Sequence, residues 1–167
     1  MQPRDRFLKA LRVEQPDRVP IFDWVNNPAI YGHVLGQTPH WFDGALAARL
    51  SKALGLDAVW VPDGGFMALP DSQYRWSDDT TYFDEWGVSY QVGAGSWPLA
   101  FPLAHPVRTA SAWQAHWQAL ARPDPQEAWR SEHARRALIE ARGDPAHQLA
   151  VVAGIRGPFS SASMSLR

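Results

Sequence analysis

Three short apolar runs constrain the fold of this chain more than any other feature of its sequence. They occupy residues 19–22, 57–62 and 149–153, and the segments between them include stretches with helical periodicity. Short apolar strands that alternate with helices are typical of a parallel sheet built from right-handed βαβ units. We therefore predict an α/β fold in which these three runs are the core strands.

The segments around the first two runs carry helix and loop signals. Apolar residues at three- and four-residue spacing predict a helix over residues 4–13, and a segment rich in Asn, Pro and Gly predicts a loop over 26–36. Thr38 is a suitable helix cap. The sequence predicts that this second helix continues to Leu54 and ends at Gly55.

The region between the second and third runs has a different character. Residues 73–102 are rich in aromatic and turn residues and predict one or two β-hairpins laid over the main body. Two helices are predicted after them, the first capped by Thr109 or Ser111 and the second opened by the prolines at 123–125 and ending near Arg142. Only about three core strands fit into the chain, whereas a closed α/β barrel needs eight.

Composition excludes several classes of function. The chain is 46% hydrophobic and 20% charged with a formal net charge of -1, which argues against a nucleic-acid partner. It contains no cysteine, so no disulfide or thiolate site is available within it. Its apolar runs are far shorter than the roughly 20 residues that span a bilayer. We expect a soluble, cytoplasmic protein that does not enter a membrane.

Five short patterns occur in the order found in one enzyme superfamily. They are RDRFLKAL at 4–11, PDRVP at 16–20, DEWGV at 84–88, PDP at 123–125 and GIRGPF at 154–159. Together they resemble the N-terminal part of the uroporphyrinogen decarboxylase superfamily. The resemblance implies a (β/α)8 barrel of roughly twice this length. Residues 1–167 would then be one partial (β/α)8 TIM barrel of about three βα units with a β-hairpin insertion, truncated before closure.

The superfamily includes two reaction classes. One is the decarboxylase, which acts on a porphyrinogen without a cofactor; the other comprises methyltransferases that move methyl groups between a corrinoid and a thiol, usually with zinc. The decarboxylase holds substrate carboxylates with arginines after its first strand, but here no arginine occurs between Asp23 and Arg49. The tyrosine expected after the Gly-Pro-Phe segment is also missing, with Met164 near its place. The DEWGV segment at 84–88 and the missing arginines resemble the methyltransferases more closely, so we prefer that class and keep the decarboxylase as the alternative.

The resemblance also suggests which residues form the site. Asp63 follows the second strand, in the place of the family's catalytic aspartate, where it could bond pyrrole N–H groups or orient an amine; a turn aspartate is the competing interpretation. Asp23 and Asn26 follow the first strand as possible substrate ligands, although the turn interpretation is preferred for this segment. Arg156 could bind a carboxylate or form a salt bridge, and His105 could reach the barrel mouth or remain a loop residue.

The expected partners follow from the same reasoning. The substrate would be a small molecule, either a tetrapyrrole or a methyl donor or acceptor. The chain itself offers no cofactor site, and zinc or a corrinoid partner would require the second half of the barrel. A non-catalytic product or subunit that pairs with a C-terminal half, or self-associates, stays open because an unclosed sheet exposes an edge and an apolar face. A complete small binding domain is a third, less favoured possibility.

Overall fold

The second and third apolar runs form a pair of parallel strands. The computed structural model describes residues 1–39, 42–62, 75–84, 87–93, 100–119 and 132–154. Strand β1 (Ala58–Pro62) lies beside the last described strand, β6 (Ala150–Gly154), with Ala58 opposite Ala150 and Pro62 opposite Gly154. Both strands and their parallel pairing were predicted from the sequence. Their side chains alternate between the two faces of the sheet.

Two helices cover one face of this pair. Helix α3 (Gly44–Ala53) packs against the last described helix, α5 (Glu132–Arg142), and both contact β1. Their contact surfaces are built from buried alanines, which allow the two backbones to approach each other closely. The core combines these alanines with strand valines and a leucine: Ala47, Ala48, Ala137, Ala141, Val59, Val61 and Leu149.

The predicted first strand is not present. Residues 19–22 pass beside the start of β1, but Val19 is 81% exposed and Ile21 is 52% exposed. The amide of Asp57 donates to the carbonyl of Ile21, whereas the amide of Ile21 donates to the Asp57 side chain and not to its backbone. Pro20 has no N–H to offer. A regular ladder therefore does not form, and the prediction of a buried strand here is wrong.

The N-terminal half contains three helices, one of which was predicted as a loop. Helix α1 (Pro3–Leu11) agrees with its prediction apart from its last residues, whereas α2 (Pro28–Leu35) lies within the predicted loop. Asn27 caps α2 by accepting a hydrogen bond from the amide of Ala29, and Pro28 occupies the first helical turn. The same Asn-Pro pair that suggested a turn thus begins a helix.

Helix α3 begins later than predicted. Its cap is Asp43, whose Oδ1 accepts hydrogen bonds from the amides of Ala45 and Leu46 at 2.9 Å each, and not Thr38. A carboxylate that satisfies two otherwise unbonded amides is a strong N-terminal signal. At the other end Gly55 adopts a φ of 72°, as expected for the residue that follows a helix.

The aromatic region forms a second, antiparallel sheet. Strands β2 (Arg75–Trp76), β3 (Thr81–Phe83), β4 (Ser89–Gln91) and β5 (Phe101–Ala104) pair in sequence order. The prediction of β-hairpins is confirmed, although four strands are present. The rings of Tyr82 and Tyr90 stack 5.3 Å apart and belong to the same core as the helices of the parallel sheet.

Helix α4 (Ala110–Ala119) follows the antiparallel sheet, and the hydroxyl of Thr109 accepts from the amide of Ala112, as predicted for its cap. The predicted opening of the next helix at 123–125 lies outside the described residues, but its end at Arg142 is confirmed. The described part of the chain is therefore a mixed α/β structure of five helices and two small sheets, neither closed. None of the described helices is long and apolar enough to cross a membrane.

Candidate functional site

Four of the five predicted site residues, Asp23, Asn26, Asp63 and Arg156, were expected at the carboxyl-terminal edge of the parallel strands. For Asp23 and Asn26 that expectation depended on a strand at 19–22, which the structure does not contain. Asp63 and Arg156 lie outside the described residues, directly after β1 and two residues after β6. Asp23 is exposed, and its Oδ1 accepts a hydrogen bond from the amide of Trp24 at 2.7 Å. Asn26 is half-buried and immediately precedes the cap of α2. The structure thus describes two of the four residues expected at this edge.

His105 belongs to the other sheet. It directly follows β5 and is half-buried beside Pro106 and the buried Val107. The neighbouring turn brings a second histidine close, because a Cβ on Gly87 would lie 3.5 Å from Cε1 of His116. The structure therefore associates His105 with the antiparallel sheet, and its role as a substrate ligand stays a prediction.

Trp24, the residue after Asp23, belongs to an aromatic group that lies beside β1. The ring of Trp24 contacts that of Trp60 with centroids 4.5 Å apart and planes inclined by 41°. The ring of Phe42 also contacts Trp60, with centroids 6.4 Å apart in an edge-to-face arrangement. Trp60 lies on β1 between the two core valines, so its side chain occupies the face of the sheet opposite the helices.

The absence of a side chain at Gly154 leaves room for the Trp60 indole. A Cβ at position 154 would overlap the Nε1, Cε2 and Cζ2 atoms of Trp60. The residue opposite Trp60 is Val152, so the indole leans across the neighbouring strand toward its carboxyl-terminal end. The aromatic group can therefore pack at this edge only because residue 154 is a glycine.

The opposite end of the strands contains a charge network that the sequence interpretation missed. Asp57, fully buried just before β1, accepts hydrogen bonds from Arg6 at 2.5 Å, from Arg18 at 2.9 and 3.1 Å, and from the Ile21 amide at 2.7 Å. Arg6 also holds Asp17 through two bonds of 2.6 and 2.9 Å. The only sequence signal was an aspartate placed directly before an apolar run.

This network perturbs the ionisation of two of its members. Hydrogen bonding to Asp17 and Asp57 raises the pKa of Arg6 above its usual range in spite of its burial. The hydrogen bonds from Arg6 hold the pKa of the Asp17 carboxyl well below its ordinary value. Both effects favour the charged forms. Arg6 and Asp17 are therefore ionised at neutral pH, and the network ties α1 and the segment after it to the start of β1.

A pocket of about 570 Å³ adjoins the network and is lined in part by Arg6, Arg18 and His147. Both guanidinium groups already bond carboxylates, so their charges are neutralised locally. In α/β sheets with parallel strands, ligands generally bind outside the carboxyl-terminal ends of the strands, and the network lies at the other end. We therefore assign a structural role to the network and place the candidate site around Trp24, Trp60 and Gly154, with Asp23 next to Trp24 in the sequence.

Metal ligands are not grouped in the part of the chain that the structure describes. No set of three or more His, Asp or Glu side chains there is arranged to hold a metal ion. Comparisons with protein-family models, with curated proteins and with solved structures give no match to this chain.

Proposed function

We propose that this chain supplies the N-terminal βα units of a (β/α)8 barrel enzyme resembling the uroporphyrinogen decarboxylase superfamily. The observation that carries the proposal is the in-register parallel pairing of β1 and β6, with α3 and α5 on one face of the pair. This is the arrangement of successive units in an α/β barrel. The two N-terminal patterns of the resemblance, at 4–11 and 16–20, lend further support because Arg6 donates to both Asp17 and Asp57 and Arg18 donates to Asp57.

Methyl transfer is the reaction class that the strand edge supports best. Residues 19–48 contain Asp23 and Asp43 but no arginine or lysine, so the segment lacks the guanidinium groups that a polycarboxylate substrate requires. In the proposed enzyme Asp63 would hydrogen-bond the substrate at the end of β1, and Asp23 and Asn26 would line the same edge. A corrinoid would supply the transferable methyl group. The described residues do not fit a zinc ion, which would have to be held by the second half of the barrel.

Equilibrium dialysis against two coloured probes tests this proposal. Methylcobalamin represents the methyltransferase class and uroporphyrin represents the decarboxylase class. We expect the chain to retain methylcobalamin in preference to uroporphyrin, and Asp63→Asn to abolish that preference. Asp144→Asn is the matched control, because Asp144 is an exposed turn aspartate after α5, away from the strand edge.

Each outcome of the dialysis supports or contradicts one of the proposed functions. Preferential retention of uroporphyrin would favour the decarboxylase alternative. Retention of neither probe would contradict a catalytic site in this chain and favour the non-catalytic subunit. Equal effects of Asp63→Asn and Asp144→Asn would show that binding does not depend on the strand edge.

A subunit that needs a partner is the second candidate, and exposed apolar side chains favour it. Val19, Ile21 and Phe22 are exposed at 81%, 52% and 39% beside β1, and Phe101 is 66% exposed on the edge strand β5. Such surface is typical of an interface. Size-exclusion chromatography with light scattering should give a mass above the 18.7 kDa of one chain. A monomer at high concentration would contradict association through these surfaces.

A further inference from the structure

We propose that the pocket at the start of the parallel strands binds a small carboxylate through Arg18. The pocket has a volume of about 570 Å³ and is lined by residues that precede β1 and β6, such as Gly55 and His147. It therefore lies at the opposite end of the strands from the site of the proposed function, and the inference does not depend on that function. Three observations carry it: a free pair of donors on Arg18, a pocket wall without carboxylates, and a histidine side chain without a hydrogen bond.

Arg18 uses only part of its guanidinium group. Its Nη1 and Nη2 atoms donate to the two carboxylate oxygens of Asp57 at 2.9 and 3.1 Å, and Nη1 also donates to the carbonyl of Val19 at 3.0 Å. Among the described residues, no group accepts from Nε or from the second hydrogen of Nη2. These two N–H groups lie on one edge of the planar guanidinium and form the fork that a carboxylate accepts in a bidentate contact. The side chain is 43% exposed and lines the pocket, so Arg18 can bind a second carboxylate without releasing Asp57.

The pocket wall presents positive groups and no carboxylate. Arg6 and Arg18 line it together with His147, and neither aspartate nor glutamate is among the described residues that line it. Asp57 is fully buried, so its charge acts only from below the pocket surface. Because two carboxylates balance the two guanidinium groups at longer range, the wall suits a single negative charge better than two.

His147 contributes a side chain that makes no hydrogen bond within the described structure. Its Nε2 atom is buried and has no partner there. A buried polar atom is rarely left in this state, because its lost hydrogen bonds to water cost free energy. The backbone around it is fixed, since the Gln2 side chain donates to the carbonyl of Pro145 at 2.8 Å and accepts from the amide of Gln148 at 3.2 Å. A ligand oxygen could become the partner of Nε2 after a rotation of the ring, which breaks no existing hydrogen bond of the side chain.

An NMR titration of the unaltered chain with three probes tests the site. Benzoate carries one negative charge, benzamide has nearly the same shape without a charge, and phenyl phosphate is mostly doubly charged at neutral pH. We expect benzoate to shift the Nε–H signal of Arg18 and the ring signals of His147. It should bind roughly tenfold more tightly than benzamide, because only benzoate forms charged hydrogen bonds with the fork. Phenyl phosphate should bind more weakly than benzoate.

Matched variants locate the binding. Ala146 is an exposed turn residue that lines the pocket, so Ala146→Glu adds a negative charge to the wall and Ala146→Gln adds the same bulk without it. Ala146→Glu should weaken benzoate binding roughly two- to fivefold relative to Ala146→Gln. Arg18→Lys removes the fork and should weaken it roughly tenfold. Arg136→Lys is its control, because the Arg136 side chain is 42% exposed and bonds Asp43 at 2.9 Å but does not line the pocket.

Four results would overturn the inference: no binding of benzoate, equal binding of benzoate and benzamide, tighter binding of phenyl phosphate than of benzoate, or equal effects of Ala146→Glu and Ala146→Gln. The comparison of probes needs no variant to fold, and the Ala146 variants leave the charge network intact if Arg18→Lys does not fold. Failure here is separable from failure of the proposed function, because methylcobalamin retention is expected to depend on Asp63, after the other end of β1.

Discussion

Removing the charge of Asp57 should destabilise the chain more than any other single change to its ion pairs. The carboxylate joins α1 through Arg6, the following segment through Arg18, and the backbone at Ile21. Asp57→Asn keeps the size of the side chain and one acceptor oxygen. It removes the negative charge and leaves two guanidinium groups without this partner.

The structure sets the size of the effect. Breaking a buried ion pair by removing one partner costs about 3–5 kcal/mol. Arg6 keeps its bonds to Asp17, and the side chain of Arg18 is 43% exposed, so part of the loss is offset. We therefore expect a loss of about 3 kcal/mol in the free energy of unfolding, at the lower end of that range. For a chain of this length that corresponds to a Tm lower by about 6–12 °C.

Thermal and urea unfolding followed by circular dichroism measure the loss. The urea midpoint should fall by about 1 M or more, since the slope for small proteins is about 1–3 kcal/mol per M. Asp144→Asn removes an exposed carboxylate that accepts from the amide of Ala146, and it should change stability by no more than about 0.5 kcal/mol. If Asp57→Asn costs less than about 1 kcal/mol, the network does not anchor the N-terminal segments and the reasoning is refuted.

Three further changes test individual contacts. Hydrogen bonding to Arg6 lowers the pKa of Asp17, so at this carboxyl the native chain binds fewer protons than the unfolded chain, and the free energy of unfolding should fall as the pH drops below about 4. In urea titrations, Asp17→Asn should reduce this loss of stability at acid pH. The same loss in both proteins would contradict the assignment. Burial raises the pKa of Tyr31 to about 12, so Tm should fall as the pH rises above about 10; Tyr31→Phe should reduce that alkaline loss, whereas an equal loss in both proteins would count against it. Gly154→Ala places a methyl group against the Trp60 indole and should lower the free energy of unfolding by about 1–3 kcal/mol. Adding Trp60→Val to that variant should recover part of the loss. If the losses of the two single variants simply add in the double variant, the two residues are not in contact.

Local sequence patterns correctly predicted the helices and strands that are determined by residues close together in the sequence. The apolar runs at 57–62 and 149–153 are short, flanked by turn residues and separated by helices, and they form the parallel strands β1 and β6. The end of α5 at Arg142 follows from the Gly-Asp-Pro segment after it, and the cap of α4 at Thr109 follows from its hydroxyl. In each case the residues that decide the structure are neighbours in the sequence.

The wrong predictions concern segments whose structure is determined by contacts with distant residues or by a choice between two possible helix caps. Residues 19–22 have the composition of a strand, but the Asp57 side chain takes the Ile21 amide that a ladder would use. Asn27 and Pro28 fit a turn and a helix start equally well in isolation, and Asp43 was not recognised as the cap of α3. Composition alone does not distinguish these alternatives.

The candidate site was predictable only in part, because its geometry depends on contacts across the fold. Asp23 and Asn26 were predicted at the strand edge because they follow the apolar run at 19–22, but that run is not a strand. The contact between Trp60 and Gly154 joins two strands that are far apart in sequence, and the bond between Arg6 and Asp57 spans 51 positions. No local pattern reports such pairs, so the aromatic group and the charge network emerged from the structure.

The most direct test of the account compares Asp63→Asn and Asp57→Asn in the same two assays, methylcobalamin retention and urea unfolding. We assign methylcobalamin binding to the carboxyl-terminal ends of the strands and stability to their starts. Asp63→Asn should lose methylcobalamin retention with little change in the urea midpoint, and Asp57→Asn should lower the midpoint while its folded fraction still retains the ligand. Loss of retention in Asp57→Asn alone, or retention unchanged in Asp63→Asn, would contradict this division of roles.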